Sequence, residues 1–244
     1  MEINIYRREL CDQAQGLCVV IDVLRAFTTA AFAFAAGAKE IIFVSSIEDA
    51  FSKFHKDPSL LLMGEVEGYP VEGFHFGNSP SEMLDICLKE KAMVQRTSSG
   101  TQGVVSCKQA SHILISSFVV AEATIQRILE INPSQVSLIV TGMKNGDEDL
   151  ALAEYLQSRL LGNSVDIETA LERVRRSPCA WRMINGDIAY QKAQQDLDLS
   201  VSLNHFSFAM EVFKENGHLV GRAIPNENQK LVLEPRQNPG DQRS

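Results

Sequence analysis

The fold is decided by the stretch Leu17-Cys-Val-Val-Ile-Asp-Val-Leu-Arg25. Five consecutive apolar residues, 17–21, end in Asp22, and an Ala/Phe-rich segment over 26–36 follows. A short apolar run without polar alternation is typical of a β-strand buried on both faces. A segment that is apolar all round is typical of a buried helix, and Gly37 is suited to end it. The stretch therefore predicts a buried strand that leads into a buried helix.

The same alternation of textures continues through the first two thirds of the chain. Further apolar runs of strand length occupy 40–44, 60–63, 92–95, 112–115 and 136–140. Segments of helical character lie at 47–55, 103–109, 119–131 and 149–161. Strands that alternate with helices predict an α/β fold, with three α/β/α layers around a mainly parallel central sheet.

After Gly162 the pattern changes and becomes more polar. A polar helix is predicted over 166–176, and one or two more over 184–198. Segments 206–213 and 218–224 could pair as an antiparallel hairpin. These segments predict a C-terminal α+β elaboration of the same domain. We therefore expect a single α/β domain over 1–230, a C-terminal subregion over 165–230, and a flexible tail over 231–244.

The composition excludes several classes of protein. The 244 residues carry 23 Lys and Arg against 31 Asp and Glu, a net charge of −8, which argues against a nucleic-acid partner. The most apolar segment, 26–38, is too short to span a bilayer, so no membrane association is expected. Five cysteines without a paired spacing indicate reduced thiols and a cytoplasmic protein. Phe32 and Phe34 are either core residues, which is favoured, or the face of a homodimer.

Polar side chains follow five of the predicted strands, whereas the opposite ends of these strands carry no comparable set of carboxylates, hydroxyls or arginines. Ligand sites in open parallel sheets gather beyond the carboxyl ends of the strands, so we expect these side chains to meet there. In chain order they are Asp22 and Arg25, Glu65 and Glu67, the segment 96–101, Ser116 and Ser117, and Glu148 and Asp149.

The hydroxyl-rich segment Arg96-Thr-Ser-Ser-Gly-Thr101 predicts an anion site. Small residues let backbone N–H groups converge on one point, and a helix that begins near Gly100 would add its positive end. Arg96 or Arg25 could supply a fixed charge in forked geometry. The alternative is a plain helix cap, because Ser and Thr favour that position.

Four carboxylates at three strand ends predict a divalent-cation site. Mg²⁺ prefers oxygen ligands, commonly one or two carboxylates together with water and a substrate phosphate. The alternative is that Asp22 caps the helix after it, and that Glu148 and Asp149 are first-turn acids favoured by the helix dipole. The fourth carboxylate is Glu65. At a separate loop, Asn78 in Gly77-Asn-Ser-Pro80 can cap a helix or bind a ligand, and the alternative is a purely structural helix entry.

Taken together, these residues resemble the 2-phosphosulfolactate phosphatase family. The similarity runs from about Val19 to Tyr155, with a weaker continuation to Ile224. Four motifs in order carry it: Val20-Ile-Asp-Val-Leu-Arg-Ala26; Gly64-Glu65 with Gly73-Phe74 and Gly77-Asn-Ser-Pro80; Arg96-Thr-Ser-Ser-Gly-Thr-Gln-Gly103; and Gly146-Asp-Glu-Asp149.

The resemblance implies a Mg²⁺-dependent hydrolase of a small phosphorylated organic acid. The family's substrate is (2R)-2-phospho-3-sulfolactate, which gives sulfolactate and phosphate in a route to coenzyme M. This chain departs from the family where Val66 and Glu67 replace an Arg-Gly pair, where His75 replaces an acid, and in Asn204-His-Phe-Ser-Phe208, which lacks acids.

We assign the roles as follows. Asp22, Glu65 and Asp149 are predicted to hold Mg²⁺, and Asp22, Arg25 and Glu148 are the predicted catalytic residues, with Glu148 as base. Two alternatives stay open: a phosphatase of another phospho-organic acid, and a non-catalytic anion-binding protein. The predicted substrate-binding residues are Asn78, Arg96, Thr97, Ser98, Ser99, Gly100 and Thr101.

Overall fold

A computed structural model of the protein describes residues 1–142, 147–186 and 192–225. The tail predicted over 231–244 lies outside the described residues, and the division into 1–230 and 165–230 stays a prediction. Ten strands occupy β1 Glu2–Arg7, β2 Gly16–Ile21, β3 Glu40–Phe43, β4 Leu61–Val66, β5 Tyr69–Pro70, β6 Ala92–Arg96, β7 Ala110–Ser116, β8 Gln135–Val140, β9 Phe208–Glu215 and β10 His218–Pro225.

Helices connect most of these strands. They are α1 Ala26–Ala35, α2 Ile47–Lys56, α3 Gly100–Ser106, α4 Ala121–Ile131, α5 Asp147–Leu160, α6 Ile167–Arg175, α7 Pro178–Asn185 and α8 Ala193–Ser200. Short 3₁₀ turns lie at Arg8–Gln13, Pro80–Met83 and Phe118–Val120. Across the described ranges, no helix is both long enough and apolar enough to cross a bilayer.

The strands form one mixed sheet in the order β1-β8-β2-β7-β9-β10-β3-β6-β4-β5. One parallel block contains β1, β8, β2 and β7, and a second contains β3, β6 and β4. This arrangement confirms the predicted α/β class with a mainly parallel sheet. The C-terminal hairpin β9–β10 does not sit at an edge, because it pairs antiparallel with β7 on one side and with β3 on the other.

Both faces of the sheet are buried, as the apolar run in β2 predicts. Leu17, Val19 and Ile21 belong to the core under α4, α5 and α6, whereas Cys18 and Val20 belong to the core under α1. This alternation follows from the two-residue period of a strand. Phe32 and Phe34 are only 4% and 6% exposed, so within this chain they are core residues.

The twist of the sheet explains how the two blocks share one site. Three antiparallel pairings separate β7 from β3, so β2 and β6 would run in opposite directions in a flat sheet. Five steps of roughly 20–25° each turn these strands across one another. Their carboxyl ends meet: a Cβ added at Gly100, after β6, would lie 2.8 Å from Asp22 Oδ2, after β2. The site thus lies at a junction of two opposed blocks, where carboxyl ends of strands from both blocks meet.

Gly64 holds β4 against β6 next to this junction. Its φ of +135° is a backbone conformation open essentially to glycine alone, and an added Cβ would lie 1.8 Å from the Arg96 carbonyl oxygen. We expect Gly64→Ala to lower the free energy of unfolding by roughly 3 kcal/mol or more, since it adds a backbone clash to the strain.

The measurement is a thermal melt beside the matched control Gly162→Ala. Gly162 also has a positive φ of +77°, but no atom lies within 4 Å of its added Cβ. The control should lose about 1 kcal/mol, the cost of the left-handed conformation alone. Equal melting temperatures for the two variants would contradict the proposed close packing of β4 on β6.

Candidate active site

A cluster of buried carboxylates lies where β2 and β8 end. Asp22 follows β2 directly, and Glu148 and Asp149 lie in the first turn of α5. Asp149 Oδ1 accepts a hydrogen bond from Val23 N (2.8 Å) and its Oδ2 accepts one from Gly142 N (2.8 Å). Asp149 therefore joins the chain segments that leave the two strands, and it fixes the acids in one place.

Asp22 also caps the helix that follows it. Its Oδ1 accepts a hydrogen bond from Ala26 N at 2.9 Å, which satisfies an N–H group at the start of α1. The structural alternative considered for Asp22 is therefore realised. Asp22 Oδ2 faces Gly100 and the Thr141 hydroxyl, whose oxygen lies 3.5 Å away. The capping role uses one carboxylate oxygen and leaves the second directed at the junction.

The electrostatics of the cluster disfavour negative charge. Burial, with a further contribution from the nearby Glu65 carboxylate, raises the pKa of Asp22 to about 6. Burial likewise raises the pKa of Glu148 to about 7 and that of Asp149 well above its usual value, and the charges of neighbouring acids add to both shifts. Glu148 Oε2 is buried and has no hydrogen-bond partner. The cluster thus carries acceptor capacity that the described residues do not satisfy.

Glu65 shapes a neighbouring loop. Its Oε1 accepts a hydrogen bond from Ser98 N at 2.6 Å, and its Oε2 accepts bonds from Ser98 Oγ and Gly68 N. Arg96 Nη1 donates to the Glu65 carbonyl oxygen at 2.8 Å, whereas Arg96 Nε is buried without a partner. These contacts assign Glu65 a structural task, and its role as a metal ligand stays a prediction.

The hydroxyl-rich segment is organised by its own side chains. Thr97 N donates to Thr101 Oγ1 (2.9 Å), and Thr101 N donates to Thr97 Oγ1 (3.1 Å). This reciprocal pair corresponds to the capping alternative. Gly100 N–H is also bonded to Asp22 and lowers the pKa of that carboxyl. Ser98, Ser99 and Gly100 lie at the junction, and their binding of a substrate anion stays a prediction.

Arg25 is held by an aspartate that the sequence did not reveal. Its Nη1 lies 2.6 Å from Asp196 Oδ2, on α8, and both side chains are buried. Asp196 also accepts hydrogen bonds from Ser79 Oγ (2.7 Å) and Ser81 N (3.1 Å). Asn78, beside Ser79, has a buried Oδ1 without a partner. Asp196 was missed because a lone acid in a polar helix carries no local signal of burial.

The predicted residues therefore divide into those that converge and those that support. Asp22, Glu148, Asp149 and Gly100 lie together, and Glu65 is close enough to act on Asp22. Within 1–142, 147–186 and 192–225, no three His, Cys, Asp or Glu side chains form a ready-made metal site. A divalent ion would therefore need water or a substrate oxygen to complete its ligands. Gly146, of the fourth motif, lies outside the described residues.

Asp196 offers a direct test of the Arg25 network. Asp196→Asn removes the carboxylate from a buried ion pair, so we expect it to lower the free energy of unfolding by about 3–5 kcal/mol. The matched control is Asp198→Asn on the exposed side of the same helix, which should change it by less than about 0.5 kcal/mol. Chemical denaturation measures both, and similar losses in the two variants would contradict the assignment.

Comparisons with known proteins identify the family of the chain. The sequence model of the 2-phosphosulpholactate phosphatase family matches residues 5–208. A Bacillus subtilis (strain 168) protein named "Probable 2-phosphosulfolactate phosphatase" is 35% identical over 164 residues, which cover 66% of this chain and 72% of the relative. A Carboxydothermus hydrogenoformans protein of the same name is 32% identical over 237 residues, covering 90% and 96%. The chain belongs to the 2-phosphosulpholactate phosphatase family and is a phosphoric monoester hydrolase.

Proposed function

We propose that the protein hydrolyses 2-phosphosulfolactate to sulfolactate and phosphate, and that Mg²⁺ is its cofactor. The observation that carries the Mg²⁺ part is the buried cluster of Asp22, Glu148 and Asp149, whose pKa values are all raised. The substrate is taken from the names of its relatives and from the family that the chain matches. The proposal places the reaction at the junction of the two parallel blocks.

The chemistry of the donor set supports a divalent cation. Like charges that are buried together repel one another strongly because the interior screens them poorly. A phosphate dianion would add to this repulsion, so it needs a positive charge between itself and the acids. Asp22 Oδ2 faces the junction and Asp149 lies in the same cluster, and two carboxylates are the usual protein share of a Mg²⁺ site. These residues fit a divalent cation, and the unpartnered Glu148 Oε2 is left to act as a base.

The chain's own groups supply the remaining functions. Glu148, with a pKa of about 7, is a carboxylate in mildly alkaline solution and can accept a proton from an attacking water at Oε2. Arg25, fixed by Asp196, provides a guanidinium whose position is set before substrate arrives. When bound, Mg²⁺ would offset negative charge on the transferring phosphoryl group.

The departures from the family pattern have structural roles in this chain. Glu67 has a positive φ of 51°, and its N–H donates to Ser98 Oγ at 2.7 Å, so the turn after Val66 is anchored to the hydroxyl-rich segment. His75 Nδ1 accepts a hydrogen bond from Leu62 N at 3.0 Å. These contacts support retention of the loop despite the changed residues, and with it retention of activity.

The first test is phosphate release from 2-phosphosulfolactate in Mg²⁺ and after treatment with EDTA. We expect turnover in Mg²⁺ and a loss of at least about 100-fold without it, the scale of a lost charge-stabilising group. Equal rates would remove the metal from the proposal. Release from other phospho-organic acids alone would favour the first alternative, and stabilisation by phosphate without any turnover would favour an anion-binding protein.

The second test is Asp22→Asn. The variant removes the negative charge that a cation needs but keeps the shape and the helix cap, so turnover should fall by at least about 100-fold while the fold persists. The exposed Asp85→Asn is the control and should keep full activity. An Asp22→Asn enzyme with wild-type kcat would exclude Asp22 from the reaction, provided that circular dichroism shows both variants folded.

The third test uses the pH dependence of stability in EDTA. Because the folded-state pKa values of Asp22 and Glu148 are raised, to about 6 and about 7, folding favours their protonated forms. Their contribution is intact below pH 4 and is lost as the pH rises through 6 and 7. Glu148 alone would account for roughly 3 kcal/mol at most. The melting temperature should therefore fall between pH 5 and 8, and less steeply in Glu148→Gln; identical slopes would contradict the shift.

A further inference from the structure

We propose that Arg182 recognises the second anionic group of the substrate, a carboxylate or sulfonate, beside the carboxylate cluster. The inference rests on the proposed function and adds a specificity-determining residue to it. Arg182 belongs to none of the four motifs that carry the family resemblance. Its position on α7, its surroundings and its lack of an ionic partner in the described chain together point to this role.

Helix α7 lies against the turn between β2 and α1. This helix begins after Ser177, whose Oγ accepts a hydrogen bond from Ala180 N at 3.1 Å. Cys179 Sγ donates to the Leu24 carbonyl oxygen at 3.7 Å, so α7 packs on the turn between β2 and α1. Arg182 lies three residues after Cys179 and therefore on the same side of the helix. That side faces the segment that carries Asp22.

The charges of the carboxylates act on the Cys179 side chain, which lies on this face of α7. Burial raises the pKa of the Cys179 thiol to about 12, and the charges of Glu148, Asp149 and Asp22 contribute to the shift. Arg182 acts in the opposite sense and lowers the pKa of both Cys179 and Glu148. The Cys179 thiol therefore lies near the acids, in keeping with the packing of α7 on the turn between β2 and α1.

The arginines around the site differ in the partners that they contact. Arg25 is paired with Asp196, Arg96 donates to the Glu65 carbonyl oxygen, and Arg8 donates to the Ser98 carbonyl oxygen. These contacts hold the protein's own loops together. Arg182, in contrast, is exposed and makes none of the ion pairs found between described residues. Its guanidinium therefore has no ionic partner within 1–142, 147–186 and 192–225.

The substrate carries negative charge besides its phosphate. An organic acid phosphate carries one or two anionic groups besides the phosphate, and three carboxylates at the site would repel them. A cation at the border of the cluster removes this penalty and gives the substrate an orientation. Arginine suits the task because its planar fork donates two parallel hydrogen bonds to a carboxylate or to another oxyanion.

The experiment compares substrates on Arg182→Ala, Arg182→Lys and wild-type enzyme in Mg²⁺. The substrates are 2-phosphosulfolactate, 2-phospholactate, which lacks the sulfonate, and glycerol 2-phosphate, which lacks both acids. We expect Arg182→Ala to lower kcat/KM for 2-phosphosulfolactate, relative to glycerol 2-phosphate, by roughly 10- to 100-fold, mainly through KM, since a hydrogen bond to a charged group is lost. Arg182→Lys should restore part of this selectivity.

The 2-phospholactate arm identifies the group that Arg182 contacts. A sulfonate contact leaves the ratio of 2-phospholactate to glycerol 2-phosphate unchanged, whereas a carboxylate contact lowers that ratio as well. The control is Arg176→Ala, an exposed arginine directly after α6 that pairs with Glu172, and this variant should keep the wild-type ratios. If glycerol 2-phosphate is not turned over, inhibition constants for sulfolactate and inorganic phosphate supply the same ratio.

Two results would overturn the inference, and they are distinguishable from failure of the proposed function. If Arg182→Ala lowers kcat/KM by the same factor on every substrate, Arg182 has a structural role. If kcat/KM stays at the wild-type value on every substrate, Arg182 has no role in the reaction. Either result leaves the phosphatase proposal intact, because wild-type enzyme is still active. Wild-type enzyme that releases no phosphate from 2-phosphosulfolactate would overturn the proposed function, and this inference with it.

Discussion

The burial of three carboxylates that lie close enough to shift one another's pKa is the constraint on which the site depends. Asp22, Glu148 and Asp149 are 5%, 4% and 2% exposed, and burial opposes the charge on each. Such groups persist only where hydrogen bonds or a counter-charge compensate their loss of hydration. Backbone N–H groups compensate Asp149 and one oxygen of Asp22. The carboxylate oxygens that these N–H groups do not compensate, such as Glu148 Oε2, are the acceptors that a cation could satisfy.

The local structure follows from this constraint. The turn after β2 must offer the N–H groups of Val23 and Ala26 to two different acids, which fixes where α1 begins. The start of α5 must bring Asp149 back to that turn. α3 must approach so closely that only glycine fits at position 100. Arg25 is then placed by Asp196 from α8, so elements distant in sequence meet around one group of acids.

Much of this arrangement was predictable from the sequence because buried strands leave a strong local pattern. The apolar runs at β2, β6 and β8 were placed to within about one residue, and the carboxylates beyond two of them were identified. β1 was missed because Glu2-Ile-Asn-Ile-Tyr-Arg7 mixes polar residues into an edge strand. The helical segment predicted over 103–109 begins at Gly100, where the hydroxyl-rich segment also allowed a helix to begin.

The convergence of the site residues could not be predicted from local sequence patterns. It depends on the twist across β9 and β10, which no short segment encodes, and on Asp196, whose burial is set by tertiary contacts. Glu65 was predicted as a metal ligand, and that role stays a prediction. What the sequence did not reveal is that its oxygens accept bonds from the backbone of Ser98 and Gly68, contacts between segments about thirty residues apart in one case.

The position of β9 and β10 in the middle of the sheet has a consequence for synthesis on the ribosome. Val212 lies opposite Ile113, and Val220 lies opposite Ile42, so the last described strands are the seam between two blocks made much earlier. Until residue 225 has emerged, β7 and β3 each present an unpaired edge, the kind of surface through which nascent chains associate. The carboxyl-terminal hairpin thus serves as the closing seam of the nascent protein, and its arrival converts two open half-sheets into one.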